Sequence, residues 1–297
     1  MDFIYSKTII SKYIDDNPWF GINYNMNIYK GCNHGCIYCD SRSECYRIKD
    51  FDRVRAKKNA VEIIRKELKG KKRKGVIGTG AMSDPYNPFE KKEELTRAAL
   101  EEVNKLQFGI SIATKSTLIT RDIDILKKIK EHSPVLIKIT ITTFDDELCK
   151  KIEPNVMPTS ERFKAIKELS DNGIFTGILL MPVLPFINDN AENIINIVKG
   201  AYYSGAKFIF AYGMGVTLRQ NQKEYYYEQL LKIYPYAKMA SKYINTYGER
   251  YEYESENSKM LWSIFRNECE KYGLIYNMGD IIDAYRKKYI KEQISLF

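Results

Sequence analysis

Three cysteines crowd into one short stretch near the start of the chain: Cys32-Asn33-His34-Gly35-Cys36-Ile37-Tyr38-Cys39. The spacing is C-x3-C-x2-C, with an aromatic residue just before the last cysteine. Three thiolates on one loop can hold three irons of a four-iron, four-sulfur (4Fe-4S) cluster and leave the fourth iron without a protein ligand. An open iron can chelate an amine and a carboxylate, and S-adenosylmethionine (SAM) offers both. Reducing such a cluster cleaves the sulfonium and yields a 5′-deoxyadenosyl radical, so the hard chemistry belongs to the cofactor. Gly31 and Gly35 allow the backbone to turn tightly around a cluster.

The same loop has a zinc reading. Zinc sites usually show four cysteine or histidine ligands, often as two short knuckles. Here only His34 or Cys45 could be the fourth ligand, because Cys149 and Cys269 are isolated and the one other histidine is His132. The spacing favours the cluster. Cys269 falls on an apolar helical stripe and is expected in the core. Cys45, closest to the loop, is a candidate hydrogen-atom donor.

A chain of 297 residues can bury a sizeable core. Residues 1–20 include Asp2, Asp15 and Asp16 and no long apolar run, unlike a secretory segment. The longest apolar stretch, 178–187, is broken by Pro182 and Pro185 and is too short to span a bilayer. A cytoplasmic protein with no membrane partner is expected. The formal net charge of +9, with lysine-rich runs at 69–74 and 286–288, raises the prospect of a phosphate-rich partner such as nucleic acid.

From residue 26 to about 212 strand and helix patterns alternate. Strands are expected at 26–30, 75–79, 109–113, 135–142, 174–181 and 207–212. Helices are expected at 57–69, 93–106, 122–130, 160–172 (capped by Thr159) and 190–204. Six strands and five helices imply an α/β fold with a parallel sheet, too few units for an eight-fold barrel. The expected fold is a partial six-unit (β/α)6 barrel with a C-terminal helical extension. Its parts are an N-terminal extension (1–25), the barrel (26–220) and a helical segment packed on it (221–297). Active sites in such sheets lie at the C-terminal strand ends, where the cysteine loop falls.

Residues 27–39 resemble the cluster segment of radical SAM enzymes, and more closely the subgroup related to spore photoproduct lyase, often labelled DNA repair photolyase-like. Ser83-Asp84-Pro85-Tyr86-Asn87-Pro88-Phe89-Glu90 is similar to that subgroup too. So are Thr114-Lys115-Ser116 with Arg121-Asp122, Glu153-Pro154 with Arg162, and the closing Glu292-Gln293-Ile294-Ser295-Leu296-Phe297. The resemblance implies a 4Fe-4S cluster on Cys32, Cys36 and Cys39, bound SAM, and a reductant such as flavodoxin or ferredoxin. It places Tyr38 near the adenine or the cluster. It puts the SAM amine among Gly80, Ser83 and Asp84, and the SAM carboxylate at Lys115 and Ser116. Thr140 and Thr142 alternate with Ile139 and Ile141, so they share one strand face and are ribose-contact candidates. Met181 and Pro182 end the fifth strand at a candidate adenine position.

Two departures matter. The lyase carries a hydrogen-donating cysteine just before the Ser-Asp pair, where this chain has Gly80-Ala81-Met82. Asp40-Ser41 follow Cys39, where relatives often carry an aromatic residue and alanine. Radical chemistry therefore carries over and thymine-dimer reversal does not. The leading expectation is hydrogen abstraction from a substrate, with nucleic acid ahead of a peptide or small molecule. A metal-stabilised, non-enzymatic nucleic-acid-binding protein is the alternative. No feature of the sequence fixes an oligomeric state.

Overall fold

The computed structural model describes residues 1–14 and 19–289, so the closing 292–297 segment lies outside the described residues. Six parallel strands form the barrel. They are β1 (Tyr24–Met26), β2 (Val76–Thr79), β3 (Gly109–Thr114), β4 (Val135–Thr140), β5 (Thr176–Leu179) and β6 (Phe208–Phe210). They lie side by side in chain order, and Ile10–Lys12 pairs antiparallel with β1 at one edge. The order is linear, so the sheet does not close on itself. Helices Ala60–Lys69, Leu95–Lys105, Ile123–His132, Thr159–Asp171 and Ala191–Tyr203 separate the strands.

Alternation along the strands builds two cores. On β4, Val135, Ile137 and Ile139 join the outer core with helix residues Ile64, Val103, Leu126, Ile166 and Ile197. Leu136 faces inward with Phe20, Val76, Leu179, Phe208 and Phe210. A sheet buried on both faces explains the near-continuous apolar strands.

One expected element is corrected. The strand anticipated at 26–30 is two pieces: β1 ends at Met26, and Tyr29–Lys30 lifts off to pair antiparallel with Arg55–Lys57. The physical cause is close backbone approach. Gly31, at φ +82, turns so tightly that a Cβ would sit 2.6 Å from the Phe51 carbonyl, which accepts from the Cys32 amide at 2.8 Å. Because Arg55–Lys57 is strand, the following helix starts at Ala60 rather than 57. Thr159 does not cap its helix either. It is the first helical residue, and its Oγ1 donates to the Thr143 carbonyl at 2.7 Å.

Helices Gln222–Ile233, Met239–Tyr247, Ser258–Tyr272 and Met278–Arg286 follow the barrel. Leu261, Phe265 and Cys269 enter the outer core, as the apolar stripe predicts. A short ladder between Gly215–Thr217 and Glu252–Glu254 was not anticipated. Among the described residues no helix is long and apolar enough to cross a membrane.

Lys138 is an exception inside the barrel. It is only 3% exposed, donates to Ser111 Oγ at 2.5 Å and sits 4.6 Å from the centre of the Phe20 ring. Burial disfavours the ammonium and pushes its pKa from 10.5 down to about 7. Between these values the unfolded chain binds more protons, so stability rises with pH across that window. Below about 7 the full cost of burying the charge is present. Lys138→Met should therefore stabilise the protein most near pH 6 and least near pH 10. Urea unfolding at both values checks this, and an equal gain at each would contradict it.

Candidate active site

The cysteine loop leaves the sheet region at the C-terminal ends of the strands. Cys32 and Cys36 are buried and Cys39 is half-buried. Burial pushes all three thiols up, Cys32 to about 12. Cys36, Tyr38 and Cys39 line a cavity of 580 Å³ with Lys115, Met181 and Pro182. The other side of that cavity is the unanticipated ladder, through Val216, Thr217, Glu252 and Glu254.

Lys115 follows β3. Its ammonium lies 5.6 Å from the centre of the Tyr38 ring. Burial works against that charge, but facing Cys36, Glu153 and Cys39 outweigh it and raise the pKa above the usual lysine value. The Tyr38 hydroxyl donates to Glu153. Glu153 in turn pairs with Arg162 at 2.5 Å, and neither side chain has any solvent exposure. Burial opposes the Glu153 carboxylate, yet Arg162, Lys115 and the Tyr38 phenol hold its pKa below the ordinary value. Arg162 also donates to the carbonyls of Thr140 (3.0 Å) and Met157 (2.8 Å).

Asp84 is a second knot. Its carboxylate accepts from Thr114 Oγ1 (2.6 Å), the Lys115 amide (2.8 Å) and the Tyr86 amide (2.9 Å). His34 Nδ1 lies 3.5 Å from it, and burial lowers the His34 pKa. Ser83 Oγ donates to the Tyr29 carbonyl at 3.1 Å. Glu90 accepts from the Tyr29 hydroxyl and from the Thr96 amide (2.8 Å), and Arg121 reaches both Glu90 and Asp122. These segments form one polar framework behind the cysteine loop.

The sequence-derived candidates divide accordingly. Tyr38 and Lys115 meet at the cavity with Cys36 and Cys39. Ser83 and Asp84 are buried and bonded to protein partners. Ser116 Oγ accepts from the Leu118 amide at 3.3 Å. Thr142 Oγ1 donates to Glu153 Oε1 at 3.4 Å, and Thr140 is buried; neither lines the cavity. Gly80 has φ +96, and a Cβ there would sit 1.9 Å from the Ala113 carbonyl, so only glycine fits. Its neighbour Ala81 reaches the cavity.

Sequence reasoning gave no role to Glu153, Arg162 or Gln222. Buried Gln222 donates to the Tyr38 carbonyl at 2.9 Å and to the Thr217 carbonyl at 2.8 Å. It thus ties the cysteine loop to the cavity-forming ladder. A lone glutamine 184 residues away carries no local signal. Arg42 was also missed. It is bidentate to Asp52 (2.9 and 2.5 Å) and lies 3.7 Å from the Tyr225 ring centre.

The donor set suits an iron–sulfur cluster: three thiols on one loop, two of them facing a cavity, with an ammonium alongside. Among the described residues no three His, Cys, Asp or Glu side chains converge as a single metal ion requires. A cubane takes its thiolates at separate corners, so that spread is compatible with it. His34 turns to Asp84, and Cys45 is exposed, 3.5 Å from an Arg219 guanidinium nitrogen.

Comparisons with known proteins agree with this geometry. The radical SAM superfamily matches residues 26–198, more than half of the chain. The chain belongs to the radical SAM superfamily. An uncharacterised protein of Methanocaldococcus jannaschii is 36% identical over 182 residues, covering 60% of this chain and 67% of that relative. An uncharacterised protein of Mycobacterium tuberculosis is 26% identical over 231 residues, covering 75% of this chain and 67% of its own. The fold is similar to that of spore photoproduct lyase complexed with dinucleoside spore photoproduct (TM-score 0.65, 14% identity, 93% of this chain and 81% of that one). A double mutant of that lyase with bound AdoMet and the same dinucleoside gives a TM-score of 0.62 at 15% identity, over 87% and 76% of the two chains. The superfamily implies a 4Fe-4S cluster and SAM.

Removing one partner of a buried ion pair strands the other charge. Arg162→Met should cost about 3–5 kcal/mol in denaturant unfolding. The double variant Arg162→Met/Glu153→Gln should recover part of that loss. Additive losses would show that the two side chains do not act as a pair.

Proposed function

We propose that Cys32, Cys36 and Cys39 hold a 4Fe-4S cluster and that SAM occupies the 580 Å³ cavity. The observation that carries this is the meeting of two loop thiols with Lys115 on one cavity at the C-terminal strand ends. The bound cluster, reduced by a partner such as flavodoxin or ferredoxin, would cleave SAM and supply the 5′-deoxyadenosyl radical for hydrogen abstraction. Lys115 would meet the SAM carboxylate through a charge-assisted contact. Met181 and Pro182 offer an apolar wall for the adenine. Backbone carbonyls at 80–81, just past the end of β2, would receive the amine, and the Ala81 carbonyl already accepts from Ser41 Oγ at 3.4 Å. Asp84 would hold Lys115 through its amide and the cysteine loop through His34.

The charge that favours a nucleic-acid substrate does not line this cavity. Its charged lining is Asp40, Glu252 and Glu254 against Lys115. That balance favours the second reading, a peptide or small molecule whose reacting part is neutral or cationic. Spore photoproduct repair is not proposed. Ala81 lines the cavity without a thiol, and Cys45 lines a separate depression with Arg219.

Protein reconstituted anaerobically should hold one four-iron cluster. Alanine at Cys32, Cys36 or Cys39 should abolish iron binding, and alanine at Cys269 should not. Stoichiometric zinc without iron would sink the proposal. With a strong reductant, SAM should yield 5′-deoxyadenosine slowly without substrate. Lys115→Ala should weaken SAM binding by about 1–3 kcal/mol. Unchanged affinity would show that Lys115 does not touch SAM. Incubation with a dinucleoside spore photoproduct should give no multiple-turnover formation of intact thymines.

A further inference from the structure

We propose that the barrel end opposite the catalytic cavity is a binding face for single-stranded nucleic acid, separate from the catalytic mouth. Parallel strands gather all their starts at one end and all their ends at the other. Lysines collect at the starts. Lys71 and Lys74 precede β2, with ammonium groups 5.2 Å from the Tyr24 ring centre and 4.5 Å from that of Phe108. Half-buried Tyr24 opens β1, whereas Phe108, just before β3, is fully buried and only seats Lys74. Lys207 immediately precedes β6. Lys130 comes from the helix before β4, and the Tyr289 hydroxyl donates to its carbonyl at 2.6 Å. That bond draws Lys287 and Lys288 to the same end.

Lys130, Lys207, Lys287 and Lys288 line a second cavity of 570 Å³ with Phe175 and Tyr289. No Asp or Glu lines it among the described residues. Nearby Asp171 is already paired with Lys167 at 3.1 Å. Lys207, Lys287 and Lys288 are exposed, and Phe175 and Tyr289 are half-buried. The catalytic cavity has the opposite balance, three carboxylates to one ammonium. The six residues of β4 separate the two ends by about 20 Å.

Lysines around aromatic rings are the chemistry that holds an unpaired strand: ammonium groups take the phosphates and ring faces take the bases. The cavity is large enough for a small planar ligand, so it can admit an unstacked base. A duplex keeps its bases stacked and would leave the aromatic floor unused. An acidic protein would satisfy the lysines and not the rings. The proposal does not depend on the cluster or on SAM.

Fluorescence anisotropy of the full chain with a labelled single-stranded oligothymidine tests it. Neutralising Lys207, Lys287 and Lys288 to glutamine should weaken binding on the order of tenfold or more. It should also lower the slope of log affinity against log salt by about 2, from roughly 0.7 per lost phosphate contact. The same three positions as arginine should restore both. Lys115→Ala, at the other end, should bind the strand normally. Saturating oligonucleotide should leave 5′-deoxyadenosine formation unchanged. Three results would overturn the proposal. One is full affinity in the glutamine variant. The second is equal affinity for a duplex, or equal competition by polyglutamate. The third is loss of binding in Lys115→Ala, or stimulation of SAM cleavage by the strand, which would place the nucleic acid in the catalytic cavity.

Discussion

The ion pair between Glu153 and Arg162 ties the distant cysteine loop to the end of β4 and the two helices that follow it. Glu153 sits just after helix Asp146–Ile152 and accepts from Tyr38 of the cysteine loop. Arg162 belongs to the next helix and donates to the carbonyl of Thr140 at the end of β4. Two fully buried charges cost several kcal/mol each to desolvate, and replacement by a well-packed apolar pair is often neutral or better. Stability alone is therefore a weak account of them. Their geometric effect is plainer: they hold the Tyr38 ring at the cavity wall, opposite Lys115.

Around that pair the rest of the site is tied by backbone and side-chain bonds from distant segments. Gln222 fixes the Tyr38 carbonyl from the C-terminal region. Asp84 fixes the Lys115 amide and Thr114 from the loop after β2. The Ile37 amide donates to the Ile152 carbonyl at 3.0 Å, so the loop carrying the thiols also has a backbone anchor. A cysteine loop held in this way presents its thiols in a preset arrangement, which would lower the ordering cost of binding a metal group.

The charge distribution follows the same topology. Parallel strands put residues that precede a strand at one end and residues that follow it at the other. Lysines dominate the first set, whereas the cavity at the second carries Asp40, Glu252 and Glu254. A net charge of +9 describes neither end.

Much of this was legible along the chain. The C-x3-C-x2-C spacing is local, so its donor set can be read directly. Apolar periodicity located all five barrel helices and five of the six parallel strands, because a sheet covered on both faces needs continuous apolar strands. The strand expected at 26–30 was misread because its split depends on Phe51 and Arg55–Lys57, which arrive from later in the chain. The ladder between Gly215–Thr217 and Glu252–Glu254 was invisible because its two short strands lie more than thirty residues apart. Glu153 and Arg162 stood out only as part of a family-like segment with no role attached, and Gln222 looks like an ordinary polar residue until folding buries it. Local spacing and periodicity thus determined the cysteine loop, the fold class and the strand ends near which that loop lies. Tertiary structure alone decided which side chains line the cavity and which are spent holding it, because burial and long-range pairing set that choice.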